Sequence, residues 1–225
     1  MKKLIFIFLF VSYGAYADDK QDLQNKLSLK QGLFAQFKQT VFDKNKKPII
    51  QGEGELALQV PNKFYWHAKS PDESWIISKG SSVAIINPDL EQVTLMSSQE
   101  AIATSPMTLL VQNNKKAWDN YTIKANKECF DLYPKDKTST LEKFQMCFDK
   151  KTLTSVTLYD VQGIESRFVL SQHRFLTLKD KNLFSFSRSK GKKNKYSFTF
   201  HTISGKQTHQ DVDIDDQRKS LPSKS

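Results

Sequence analysis

From Leu33 onward the apolar residues recur at every second position, and this period constrains the fold more than any other feature. Leu33, Ala35, Phe37 and Val41 alternate with Phe34, Gln36, Lys38 and Thr40. Successive side chains of a strand point to opposite faces, so this pattern describes a β-strand with one buried face. Further strand-like runs follow at 49–60, 63–68, 75–78, 83–86 and 92–96, separated by Lys46-Lys47-Pro48, Pro71-Asp72, Lys79-Gly80 and Asn87-Pro88. Others lie at 121–125, 129–133, 144–148, 155–159, 166–170, 183–187, 196–201 and 211–214. Many short strands joined by turns predict an antiparallel sheet. No strand–helix–strand alternation and no fixed-period repeat are present, which argues against a nucleotide-binding α/β fold.

Two segments break the pattern. Leu23 and Leu27 stand four apart in polar surroundings, with Asp19 or Asp22 available as a cap, and predict a short amphipathic helix. Residues 98–112 predict two short helical pieces split at Ser105-Pro106, with Pro106 suited to a first helical position. The second piece, Met107-Thr108-Leu109-Leu110-Val111, is very apolar for its length and must bury against something.

The N-terminus reads as an export signal. Lys2 and Lys3 precede an apolar run from Leu4 to Val11, too short to span a bilayer, and Ala15-Tyr16-Ala17 supplies a small-x-small cleavage pattern. Residues 1–17 are therefore expected to leave as a signal peptide, residues 18–219 to form a single domain, and 220–225 to be a disordered tail. The chain of 225 residues carries a net charge of +10, and the basic excess survives loss of Lys2 and Lys3. On an exported protein it points to anionic membrane surfaces or acidic partners, and nucleic acid is not an expected partner in that compartment.

The two cysteines, Cys129 and Cys147, suit one disulfide in an oxidising compartment. A hairpin centred on Thr138 would set them directly opposite each other, within bridging range. Closing the loop is worth about 3 kcal/mol in the chain-entropy model. The alternative is a pair of free buried thiols.

A search for chemistry finds little. His67, His173, His201 and His209 form no metal-ligand spacing, and no nucleophile elbow, phosphate loop or dinucleotide fingerprint occurs. Asp211, Asp213, Asp215 and Asp216 read as the solvated face of an edge strand rather than as a metal site. The basic loop 187–195 reads as solvated, with contact to an anionic bilayer as the alternative. Phe37, Phe64, Trp66, Trp75, Ile86, Val93 and Leu95 are more large apolar groups than one sheet face requires. Each alone is ordinary core. As a set they also suit the wall of a cavity, covered by a lid carrying Met107, Leu109 and Leu110.

Several segments together resemble a known family. They are Leu33-Phe34-Ala35-Gln36-Phe37-Lys38-Gln39, Gly52-Glu53-Gly54-Glu55-Leu56, Pro61-Asn62-Lys63-Phe64-Tyr65-Trp66, Pro71-Asp72-Glu73-Ser74, Asn87-Pro88-Asp89-Leu90-Glu91-Gln92 and Ser105-Pro106-Met107-Thr108-Leu109-Leu110. The stretch from Val212 to Lys219 resembles the same family's terminal signature. In this order, over most of residues 23–219, they resemble the outer-membrane lipoprotein carrier family, LolA. The resemblance implies a mainly β (α+β) fold: an unclosed antiparallel β-barrel with short helices forming a lid over an apolar concave cavity. It implies a non-enzymatic periplasmic carrier, monomeric and without cofactor. Such a carrier takes triacylated lipoproteins from an inner-membrane ABC transporter, LolCDE, and passes them to an outer-membrane acceptor, LolB. A lipid or glycolipid carrier or sensor of the same fold is the alternative, and a hydrolase with a dispersed site a distant third.

Two positions depart from the family pattern. An arginine associated with the lid usually precedes the proline of the Phe-x-Trp strand, where this chain has Val60, and Thr154 stands near a family histidine. A polar latch from Val60 is impossible, so closure is expected to rest on packing or on another residue, with Lys63 the candidate by proximity.

Overall fold

The computed structural model describes residues 19–28, 30–104, 106–112, 115–190 and 195–213. The expected signal peptide and tail, Ser105, Asp215, Asp216 and the 191–194 part of the basic loop lie outside the described residues. The helix α1 (Asp19–Lys26) is followed by β1 (Leu33–Phe42), β2 (Pro48–Gln59), β3 (Lys63–Ser70), β4 (Ser74–Lys79), β5 (Ser82–Asn87) and β6 (Gln92–Ser97). After the helical stretch of α2 (Ser98–Thr104), a 3-10 segment (Pro106–Val111) and α3 (Lys115–Asp119) come β7 (Tyr121–Asn126), β8 (Cys129–Pro134), β9 (Leu141–Asp149), β10 (Thr152–Asp160) and β11 (Glu165–Phe175). A second 3-10 segment (Leu178–Phe184) leads to β12 (Phe186–Lys190), β13 (Lys195–His201) and β14 (Gln207–Asp213).

The first eleven strands form one sheet in the order β6-β5-β4-β3-β2-β1-β11-β10-β9-β8-β7. Neighbours run antiparallel, and β6 and β7 stand at opposite edges, so the barrel is unclosed. Two hairpin meanders are joined in the middle by β1 and β11, where Leu33 faces Phe175 and Phe42 faces Glu165. The remaining strands make a small sheet, β12-β13-β14.

Two local expectations change. Leu183 and Phe184 belong to a 3-10 turn and not to a strand. The turn starts because Asp180 Oδ2 accepts hydrogen bonds from both the Thr177 backbone N–H (2.7 Å) and its hydroxyl (2.9 Å). The stretch 187–195 is largely the paired strands β12 and β13, not a loop, wherever it is described. Asp19 ties α1 to the sheet edge by accepting a hydrogen bond from Ala125 N (2.9 Å).

Cys129 and Cys147 face each other across β8 and β9 and form a disulfide, with Cα atoms 4.0 Å apart. Phe130 and Leu132, which alternate with Cys129, are buried in the core, so the bridge sits on the opposite, outer face.

Candidate functional site

The curved sheet has an apolar concave face, and the segment linking its two edges crosses that face. Leu33, Ala35, Phe37, Leu56, Leu58, Phe64 and Trp66 meet Phe130, Phe144, Met146, Val156, Phe168 and Leu170 there, forming one cluster. Its floor is aromatic: Phe37 stacks on Trp66 at 4.0 Å between ring centroids, and Phe168 meets both rings edge-on, at 5.7 Å from Phe37 and 5.1 Å from Trp66.

Gly54 makes this arrangement possible. It pairs with Phe37, and a Cβ added there would lie 2.4 Å from the Phe37 ring and 2.1 Å from the His67 carbonyl oxygen. The glycine of the Gly-Glu-Gly-Glu stretch therefore clears the space through which Phe37 reaches Trp66.

Met107, Leu109, Leu110 and Val111 are buried in the same cluster, between 0% and 6% exposed. The side chains of this segment, the expected lid, thus fill the concave face. This second helical piece is 3-10 in form, closed by Gln112 N donating to Leu109 O (3.1 Å). Two hydrogen bonds fix its C-terminal end: Asn62 N donates to Val111 O (2.9 Å), and Trp118 Nε1 donates to Gln112 O (3.0 Å). Ser78 holds the Asn62 turn in place, its hydroxyl donating to Asn62 O and accepting from Phe64 N, both at 2.6 Å. Closure uses a main-chain group two residues beyond Val60. Lys63 is not the latch, because its Nζ bonds Gln59 Oε1 (3.0 Å) and lies over the Phe184 ring. Thr154, near the family histidine position, donates to Cys147 O.

The structure divides the residues expected to line one cavity. Phe37, Phe64 and Trp66 lie under the lid, whereas Trp75, Ile86, Val93 and Leu95 face the other side of the sheet. Register explains the division. Trp66 pairs with Ile76, so Ile76 shares the concave face, while Trp75 pairs with His67 on the outer face. Trp75 then pairs with Ile86, Ile86 with Val93, and Ala84 with Leu95, carrying the whole row outward. Trp75 and Ile86 are buried there and Val93 and Leu95 partly so, because Leu183, Phe184 and Phe200 cover the row from the 3-10 turn and the small sheet. Trp118, Phe168, Ile76 and Val111 are concave-side residues that the cavity set omitted.

Two buried carboxylates within the strands, Glu55 and Asp131, turn to the outer face. The Glu55 carboxylate is buried beside Leu56 in the alternation, accepts a hydrogen bond from Lys69 Nζ (2.7 Å) and faces His67 Nδ1 at 3.4 Å. Burial alone would raise its pKa, but these partners outweigh that and hold it below the usual carboxylate range. Asp131, between Phe130 and Leu132, is likewise turned outward to Gln145 and Asn126. Beside the lid, between the two halves of the sheet, a cleft of 1470 Å³ opens along Ser97, Ser98, Gln112, Lys116, Tyr121, Leu141 and Leu158. It exceeds ordinary small-molecule pockets of about 300–1,000 Å³, and its rim is polar while the space beneath the lid is apolar.

Residues 28–187 match the family model "Outer membrane lipoprotein carrier protein LolA". The chain belongs to the LolA family. It is 40% identical to the outer-membrane lipoprotein carrier protein of Shewanella halifaxensis over 93% of this chain and 91% of that one. It is 42% identical to the protein of the same name from Shewanella sp. strain W3-18-1 over 79% of this chain and 86% of that one. A LolA superfamily protein from Nitrosomonas europaea has a similar solved structure, with 11% identity, a TM-score of 0.44, and coverage of 75% of this chain and 98% of that chain. Both of these Shewanella relatives are named as carriers.

Proposed function

We propose that this protein is a periplasmic carrier that holds the acyl chains of triacylated lipoproteins against its concave face. In this reading it receives them from LolCDE at the inner membrane and delivers them to LolB at the outer membrane. The observation that carries the proposal is the plug: Met107, Leu109, Leu110 and Val111 occupy an aromatic and aliphatic floor that carries no charge. A plug of that chemistry exchanges naturally for hydrocarbon. Phe37, Phe64 and Trp66 would line the loaded site, while Trp75, Ile86, Val93 and Leu95 would support the wall from behind.

The energetics favour exchange over simple filling. A dehydrated chain of about 15 methylenes gains on the order of 12 kcal/mol at about 0.8 kcal/mol each. Exposing the four lid side chains costs about 1.5–3 kcal/mol apiece, together about 6–12 kcal/mol. The lid thereby offsets much of the gain from one such chain; three fully dehydrated chains would gain about 36 kcal/mol, so release without ATP at this protein requires that the concave face dehydrate them only in part.

Capture of a purified triacylated lipoprotein in a one-to-one complex tests the reading. Phe64→Glu and Trp66→Glu, which each place a charge on the floor itself, are expected to abolish capture. Undiminished capture by folded forms of both variants would exclude the concave face, and free lipids in place of lipoprotein on the protein purified from cells would favour a lipid carrier.

A further inference from the structure

Where β11 leaves the sheet, two large apolar side chains stand in water. Leu178 is 91% exposed and Phe175 is 69% exposed. They do not project from a loose loop. Arg174 donates to both carboxylate oxygens of Asp180 (2.9 and 2.8 Å), Asp180 receives the Thr177 N–H and hydroxyl, and Leu183 and Phe184 are buried beneath. Phe175 is also paired with Leu33 across β1. The pair is thus presented on a rigid platform.

The exposed charge on the turn and the segments beside it is basic, while Glu55, near enough to act on Arg174, is buried and paired with Lys69. Lys179 and Lys181 are exposed on the same turn. Lys63 Nζ lies over the Phe184 ring, Lys79 Nζ donates to Phe186 O (3.0 Å), and the Lys30 carbonyl accepts from Gln59 Nε2 (3.2 Å), which brings all three lysines to this end of the barrel. Among the described residues of 26–33, 59–63, 78–82 and 175–186, the carboxylate is that of Asp180, which is buried and held by Arg174. Exposed apolar groups ringed by lysines, without exposed acid, complement a surface of phosphates over hydrocarbon. A protein partner would more commonly meet a patch of mixed charge with a pocket for its anchors.

We infer that the platform from Phe175 to Lys181, with Lys30, Lys63 and Lys79 around it, docks on an anionic phospholipid surface, Phe175 and Leu178 entering the interface. The docked orientation is useful to the molecule. The turn bearing Lys63 is the one whose Asn62 N–H holds Val111 O, so the bilayer would lie beside the fixed end of the lid. This inference concerns the outer surface and does not depend on what the concave face carries.

Co-sedimentation of the cargo-free protein with phosphatidylcholine vesicles, with and without phosphatidylglycerol, is the test. The wild type should bind the phosphatidylglycerol vesicles and release as salt rises. Phe175→Ser with Leu178→Ser should weaken binding at least about tenfold, since either side chain entering hydrocarbon is worth roughly that factor. Lys179→Gln with Lys181→Gln should weaken it similarly, at roughly fivefold per lysine. All four positions are exposed, so melting temperatures should stay near the wild type. Absence of wild-type binding overturns the inference, as does equal binding by the serine variant or binding only to native membranes and not to lipid vesicles. Lipoprotein capture in solution, measured on the same serine variant, should be unchanged, which separates this failure from a failure of the carrier reading.

Discussion

Leu110→Ala is expected to make the empty protein less stable and, at the same time, a tighter binder of acyl chains. Leu110 is 1% exposed and sits within the concave cluster, so truncation leaves a cavity in the shut state. Losses of this kind run from about 2 to 5 kcal/mol, and the partly adjustable neighbours Met107 and Leu109 favour the lower half. For a chain of this size that corresponds to a fall in melting temperature of roughly 5–10 °C. When cargo displaces the lid, residue 110 leaves the floor whether it is Leu or Ala, so the loaded state does not suffer the same loss. About 2 kcal/mol less opposes exchange, which is more than tenfold in affinity. Thermal melting of the empty protein and titration with a fluorescent long-chain acyl probe measure the two effects on one preparation. A lowered melting temperature with unchanged or weaker probe affinity would refute the reasoning, because Leu110 would then not be what the acyl chain displaces.

Two further outcomes follow from the surrounding structure. Replacing both cysteines by serine should cost about 3 kcal/mol, roughly 6–12 °C in melting temperature, because the bridge closes a loop with a sequence separation of 18. Cargo capture should persist, since the bridge is on the outer face; loss of capture in a variant that is still folded would contradict that placement. Hydrogen bonds from Arg174 above all hold the Asp180 carboxyl down at about 2, below its ordinary 3.8. A depressed carboxylate stabilises the fold fully above its unfolded pKa and loses that contribution as pH falls through the folded one. Stability should therefore drop between about pH 4 and pH 2, by no more than about 2 kcal/mol from this group, and Asp180→Asn should remove that part of the pH dependence. Denaturant midpoints measured across this range check it, and an unaltered acid limb in the variant would refute the assignment.

How far the sequence could be read depended on whether a feature was local. The period-two run in β1 gave its strand and its buried face, because alternation is a property of consecutive residues. The disulfide was legible for the same reason: Thr138 lies midway between Cys129 and Cys147, and a symmetric hairpin needs no distant information. The face taken by Trp75 was not legible. It depends on the pairing of His67 with Trp75 across the β3–β4 turn, and both faces of β4 are apolar because the sheet is covered on both sides. Leu183 and Phe184 look like the start of a strand until the Asp180 contacts to Thr177 and Arg174 wind them into a turn. The lid stood out by composition alone, but its latch did not, since a main-chain N–H at Asn62 leaves no signature in side-chain identity.

The central pairing of β1 with β11 sets a condition on how the molecule is made. Leu33 and Phe175 are neighbours in the sheet although most of the chain separates them. While a chain emerges from a pore, β1 can pair with β2 at once, yet its other edge has no partner until β11 follows. Contacts of such separation form slowly, because loop closure must come before any of them is gained. For that interval the first meander presents an open edge and an unfilled greasy hollow, in a segment that already contains Phe37, Phe64 and Trp66. The protein most suited to shielding another molecule's hydrocarbon is therefore, during its own biogenesis, a molecule in need of shielding.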